Sequence, residues 1–192
     1  MARTRNIAVI VGSLRRESFS RGVARALTQL APDDLKLEIV EIRQLGFYDQ
    51  DLDPTPPAEW TAFRDRIRAA DGVIFVTPEY NRSVPGVLKN AVDIGSRPYG
   101  HSVWDAKPAG VVSVTPGGLG AFGANHHLRQ SLAFLNMPTL QQPEAYLGHI
   151  AEQFEDGELT GEKTRSFLKS YLEAYAVWVE KVAAAEVTAL AA

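Results

Sequence analysis

The apolar run Ile7-Ala8-Val9-Ile10-Val11 passes through the polar segment Gly12-Ser13-Leu14-Arg15-Arg16-Glu17-Ser18-Phe19-Ser20 straight into a helical pattern carried by Val23, Ala24, Leu27 and Leu30. A strand that hands over to a helix through a short turn is the building unit of a parallel α/β sheet. The turn brings hydroxyls from Ser13, Ser18 and Ser20 and the guanidinium of Arg15 to a helix start. N–H groups there have no intrahelical partner and carry the positive end of the dipole, so the segment suits a phosphate monoester. Capping of the helix by Ser18 or Ser20 is the other use of the same hydroxyls.

The alternation continues along the chain. Strands are expected at Leu35–Val40, Gly72–Thr77 and Ala109–Val114, with a fifth near Thr139–Gln142. One helix is expected over Ala58–Ala70, with Trp60, Phe63 and Ile67 on one face. Arg64, Asp65, Arg66 and Arg68 of that helix read as a solvated face. Another starts near Ser83, with Pro85 in its first turn. A fourth carries Leu128, Leu132 and Leu135 and stops before Pro138, and a long one runs from near Thr160 to Ala185. The pattern predicts one α/β domain over residues 1–192, a doubly wound three-layer sandwich on a five-stranded parallel sheet of order 2-1-3-4-5. In that order the ends of strands one and three flank the switch point and strand four lies beside them, so their three loops should meet at one ligand.

Composition narrows the classes. The 20 basic and 23 acidic side chains leave a net charge of -3, which favours neither nucleic acid nor an anionic membrane as a partner. No apolar run approaches the roughly 18 residues of a membrane span, and the first residues carry no apolar signal region, so a cytoplasmic protein is expected. The absence of cysteine excludes disulfides, iron–sulfur and thiolate zinc sites and a cysteine nucleophile. It also excludes the small phosphatases that place a thiolate in such a loop. Neither G-x-G-x-x-G nor G-K-[ST] occurs in the first loop, so it reads as a holder of a monophosphate that stays in place. His101, His126, His127 and His149 have no metal-binding spacing, and no metal is expected. Thr77-Pro78 ends strand three where a phospho-receiver domain needs an aspartate.

The second loop, Thr77-Pro78-Glu79-Tyr80-Asn81, offers an aromatic ring and an amide able to match a heterocycle edge, or else ordinary turn residues. The third clusters Gly117, Gly118, Gly120 and Gly123, which allow close backbone approach or positive φ angles.

Three segments, Gly12-Ser13-Leu14-Arg15-x-x-Ser18-Phe19-Ser20, Pro78-Glu79-Tyr80-Asn81-x-Ser83-x-Pro85-Gly86-x-Leu88-Lys89-Asn90-Ala91-x-Asp93 and His127-Leu128-Arg129-Gln130, resemble the NADPH-dependent FMN reductase family, which includes bacterial quinone and chromate reductases. The resemblance covers nearly the whole chain in the same order. It implies a flavodoxin-like fold and non-covalent FMN, with NADPH or NADH as co-substrate. It puts the FMN phosphate on Ser13, Arg15, Ser18, Phe19 and Ser20. The isoalloxazine would lie against Pro78, Glu79, Tyr80 and Asn81, closed by Thr115, Pro116 and Gly117. The flavin would carry the chemistry with no catalytic side chain, and Glu79 would make a backbone contact with its carboxylate outward. Electrons would pass by a ping-pong mechanism to quinones, chromate, azo or nitro compounds, or flavins. A homodimer or homotetramer is implied, with Arg129 at the interface and the Phe47-Tyr48 loop exposed or overhanging a neighbouring site. Two positions depart from the family pattern. Pro116 replaces a Ser-rich turn and has no N–H to donate. Ile94 follows Asp93 where relatives carry an aromatic residue, which bears on substrate access and the dimer contact. A flavodoxin-like electron carrier docking on protein partners is the rival reading, against which the weak net charge counts.

Overall fold

Alternate residues of a strand face opposite sides of its sheet, and the first apolar run divides accordingly. A computed structural model of the chain describes residues 3–190, with side chains over 3–185. In it, Ile7, Val9 and Val11 enter one core, while Ala8 and Ile10 enter another. The strands are β1 (Arg5–Val11), β2 (Leu35–Val40), β3 (Gly72–Thr77), β4 (Ala109–Val114) and β5 (Ala145–Leu147). They form one parallel sheet in the order β2-β1-β3-β4-β5. Every residue of β3 and β4 is buried, as strands covered on both faces require.

Helices α1 (Phe19–Leu30) and α5 (Glu162–Leu190) pack on one face. Helices α2 (Ala58–Ala69), α3 (Gly86–Gly95) and α4 (Phe122–Phe134) pack on the other, around Trp60, Phe63, Phe75 and Trp104. A small hairpin of β6 (Phe154–Glu155) and β7 (Glu158–Leu159) precedes α5. This is the flavodoxin-like three-layer arrangement. Among the described residues no helix is long and apolar enough to cross a membrane.

Three sequence expectations need correction. The fifth strand is not Thr139–Gln142: Thr139 makes one isolated bridge to Ala109, and Ala145–Leu147 pairs with Val112, Ser113 and Val114. Pro143, with no N–H to give, separates the two pieces. Helix α3 begins at Gly86, with Pro85 as its cap, because Tyr80–Ser83 forms a tight turn of its own. Arg64 is not on a solvated face, because it is buried beside Trp60.

Candidate active site

Strand register sets the three loops at one level. Val11 lies opposite Val76, Thr77 lies opposite Ser113, and Gly12 N–H donates to the Val76 carbonyl at 2.8 Å. The loops close around a cleft of about 150 Å³ lined by Ser13, Arg15, Ser18, Phe19, Ser20, Pro78, Glu79, Tyr80, Val114, Thr115 and Pro116. All but two of the expected site residues therefore line one space. Asn81 and Gly117 do not line it, but each is the exposed chain neighbour of a residue that does.

In the first loop the hydroxyls divide their duties. Ser18 caps α1, its Oγ accepting from Arg21 N–H at 3.2 Å. Ser13 and Ser20 are 5% and 2% exposed, and their hydroxyls have no protein partner among the described residues. Hydroxyls that line a cleft and have no protein partner are free to donate, so a pair of them there fits a ligand with acceptor oxygens. Arg15 donates to the Glu17 carbonyl at 2.6 Å and lies 5.9 Å from the Phe19 ring centroid. A guanidinium has five N–H donors, so others remain for an anion. Together with the free N–H groups of α1, this donor set fits a phosphate monoester such as that of FMN.

The second loop is fixed by its backbone. Tyr80 and Ser83 exchange backbone hydrogen bonds of 2.9 and 3.0 Å around Asn81 at φ 50° and Arg82 at φ 64°. Consecutive left-handed residues define a type I′ turn, to which Asn is suited and Arg is not. The turn is tied to α4 by a 2.7 Å contact between Ser83 Oγ and His127 Nδ1. It leaves the Tyr80 ring half exposed at the cleft.

Glu79 corrects the expectation of an outward carboxylate. Its Oε2 accepts from Ala124 N–H at 3.0 Å, in the first turn of α4. The cap residue of that helix, Ala121, has no side-chain acceptor, so the carboxylate supplies one and complements the dipole. The approach requires glycine at 123, where a β-carbon would stand 2.9 Å from Glu79 Oε2 and 3.1 Å from the Arg82 carbonyl.

The third loop offers surface more than donors. Thr115 N–H is engaged by the Leu147 carbonyl at 2.9 Å, and Gly117 N–H by Thr115 Oγ1 at 3.2 Å. Pro116 between them has no N–H to give. Beside this loop, burial and Glu144 push the Tyr146 phenol up to about 12, and its hydroxyl lies 2.8 Å from His126 Nε2.

Arg129 is partly buried and bonded within the chain: it donates to Asn125 Oδ1 at 2.8 Å and to the Leu140 carbonyl at 2.9 Å. Asn125, fully buried and missed in the sequence, passes this link to Ser113 Oγ at 3.1 Å, joining α4 to β4. Ile94 is fully buried in the core, so that departure does not lie at a substrate opening. Phe47 is 85% exposed as expected, whereas Tyr48 is half buried, its ring centroid 5.6 Å from that of Trp60. Asn90, within the motif segment, clamps this loop through Tyr48 N–H at 2.8 Å and the Gly46 carbonyl at 2.9 Å.

Residues 5–152 match the model of the family described as NADPH-dependent FMN reductase. A quinone reductase of Pseudomonas putida is 58% identical over 181 residues, 94% of this chain and 97% of that protein. A 2-hydroxy-1,4-benzoquinone reductase of a Burkholderia species is 45% identical over 174 residues, covering 90% and 95% of the two chains. Among solved structures, the flavoenzyme NAD(P)H:(acceptor) oxidoreductase FerB of Paracoccus denitrificans superposes with a TM-score of 0.87 at 38% identity, covering 93% of this chain and 98% of its own.

Proposed function

The chain belongs to the NADPH-dependent FMN reductase family, and we propose that it is a quinone reductase drawing electrons from NADPH or NADH through bound FMN. The carrying observation is the convergence of the unpartnered Ser13 and Ser20 hydroxyls, the Arg15 guanidinium and the Tyr80 ring at the ends of β1, β3 and β4. The names of the Pseudomonas and Burkholderia relatives support a quinone as acceptor. Chromate, azo and nitro compounds and free flavins are further acceptors within the same chemistry.

FMN, when bound, would supply the redox chemistry between nucleotide and acceptor. Ser13 and Ser20 would donate hydrogen bonds to the phosphate oxygens, and Arg15 would add a charge-assisted bond. Ser18, occupied as a cap, holds the α1 N-terminus so that its free N–H groups serve the same anion. Tyr80, with Pro78 beside it and Asn81 at the rim, offers a ring face and an amide to the isoalloxazine. Thr115, Pro116 and Gly117 limit the opposite side. Glu79 is engaged with α4, so the chain contributes positioning and exclusion of water with no acid–base side chain.

In this reading the oxidised nucleotide leaves before the acceptor binds. Double-reciprocal plots at several quinone concentrations should therefore be parallel. Glu79→Gln should keep turnover within a few-fold, because an amide oxygen still accepts from Ala124 N–H. Intersecting plots, or a loss of several hundredfold in Glu79→Gln with FMN bound, would refute the mechanism. An electron carrier would instead oxidise NADPH slowly unless a reductase partner were added.

The same reading places the protein in the cytoplasm as a homodimer or homotetramer. Exposed aromatics support the assembly: Phe47, Tyr99 and Phe134 are 85%, 89% and 89% exposed. Sedimentation at micromolar concentration should give a multiple of the 21.0 kDa chain mass, and a monomer alone would contradict it.

A further inference from the structure

A second cleft, of about 540 Å³, opens beside the first loop. It shares Arg15, Ser18 and Phe19 with the candidate site and extends over Arg16, Arg25 and the β6–β7 hairpin. The hairpin is a built wall. Asp156 at φ 49° and Gly157 at φ 82° form its two-residue left-handed turn. Arg25 of α1 donates to the Gly157 carbonyl at 2.8 Å and pairs with Glu158 at 3.6 Å. The Phe154 ring lies so close on Gly22 of α1 that a β-carbon there would overlap it, and it meets the Phe19 ring at 5.3 Å between centroids. These contacts join hairpin to helix, so the cleft is formed in advance of any ligand.

Its chemistry has two sides. Arg16 lines the cleft, is exposed, and has no side-chain hydrogen bond or ion pair among the described residues. Glu17 and Asp156 line it as carboxylate acceptors, and Phe19 and Phe154 add aromatic surface. A free guanidinium suits a phosphate, a carboxylate suits sugar hydroxyls, and an aromatic surface suits a planar base. One ligand class carries all three.

Resting on the oxidoreductase reading above, we propose that this cleft holds the adenosine diphosphate end of NADH or NADPH. Arg16 pairs with the pyrophosphate, Asp156 accepts from a ribose hydroxyl and the adenine lies against Phe154, while the nicotinamide end crosses the first loop towards Tyr80. With Arg15 given to the FMN phosphate, Arg16 and Arg25 face Glu17, Asp156 and Glu158. No surplus positive charge is left for a 2′-phosphate, and the carboxylates would repel one, so NADH should be used in preference to NADPH.

The test compares Arg16→Ala and Asp156→Asn with wild type, all loaded with FMN. Arg16→Lys serves as partial rescue, and Arg68→Ala, on the exposed part of α2, as a remote control. Asn tolerates the left-handed backbone at 156, so both cleft variants keep the fold. Arg16→Ala should raise KM for NADH and NADPH together by about tenfold, as loss of a charge-assisted bond does, with kcat, FMN affinity and quinone KM unchanged. Calorimetry with 5′-ADP on the FMN-loaded protein reads the cleft without turnover. ADP should bind wild type and bind Arg16→Ala about tenfold more weakly. Unchanged KM values, a change confined to NADPH, or ADP that fails to bind wild type would each overturn the proposal. FMN-loaded wild type that oxidises neither nucleotide would sink the quinone reductase reading. The ADP titration would still decide the cleft, upheld by Arg16-dependent binding and overturned by its absence.

Discussion

Replacing Arg15 and Ser20 together with alanine should weaken FMN binding by at least about a hundredfold. Each removes a charge-assisted bond to the phosphate, worth roughly 1.5–3 kcal/mol, and about 1.4 kcal/mol is tenfold in affinity. The fold should be indifferent to the change. Arg15 is exposed and gives up only surface contacts with the Glu17 carbonyl and the Phe19 ring, and the Ser20 hydroxyl has no protein partner among the described residues, so the FMN-free protein should stay within about 0.5 kcal/mol of wild type. FMN fluorescence titration reads the affinity, and thermal unfolding without FMN reads stability. Ser18→Ala should behave differently, losing affinity and also about 1 kcal/mol of FMN-free stability, because it removes the α1 cap. Tyr80→Ala should cost less affinity, about 0.5–1.5 kcal/mol beyond buried area. FMN bound as tightly by the double variant as by wild type would remove the first loop from the site.

The parts of the site legible in the sequence are those whose chemistry is local. Strands β1, β3 and β4 are mostly apolar because nearly all their residues are buried on one face or the other, so the apolar pattern alone locates the loops at their ends. Strand β5 is three residues long and follows Pro143, leaving too little pattern to find. The β6–β7 hairpin has two residues on each side, too few to alternate, although Asp156-Gly157 is a turn signal. The Glu79 bond is hidden because its partner is 45 positions away. The signal for it lies elsewhere: Ala121-Phe122-Gly123 opens a helix with none of the usual capping side chains, so an acceptor has to come from another loop. Arg129 and Asn125 are opaque for the same reason, since their partners are set by the packing of α4 across β4.

Arg64→Ala should lower stability by about 2–3 kcal/mol, although a charged residue on a charged helix would ordinarily be dispensable. Residues 60, 63, 64 and 67 follow the i, i+3, i+4, i+7 spacing of one helical face, so periodicity puts Arg64 with Trp60, Phe63 and Ile67. Its charge alone suggests otherwise. The side chain is 6% exposed, donates through Nε to the Ile94 carbonyl at 2.9 Å, and lies 5.7 Å from the Trp60 ring centroid. Its Nη2 stands 3.8 Å from Asp53 Oδ1, and Tyr48 donates to the other Asp53 oxygen at 3.0 Å. Burial depresses the Arg64 pKa, but guanidinium remains charged at any working pH. Alanine would therefore leave a carboxylate without its counter-charge and open a cavity beside Trp60. Breaking a fully buried pair costs about 3–5 kcal/mol, and the 3.8 Å separation here, beyond hydrogen-bond distance, trims that figure. In a chain of this length the loss corresponds to a fall in Tm of roughly 4–12 °C. Arg68→Ala, by contrast, should stay within about 0.5 kcal/mol of wild type. Removing the stranded charge should recover part of the loss, so Arg64→Met with Asp53→Asn should be more stable than Arg64→Met alone. If Arg64→Ala melts within about a degree of wild type, this buried arginine does not hold Asp53 and α3 to α2.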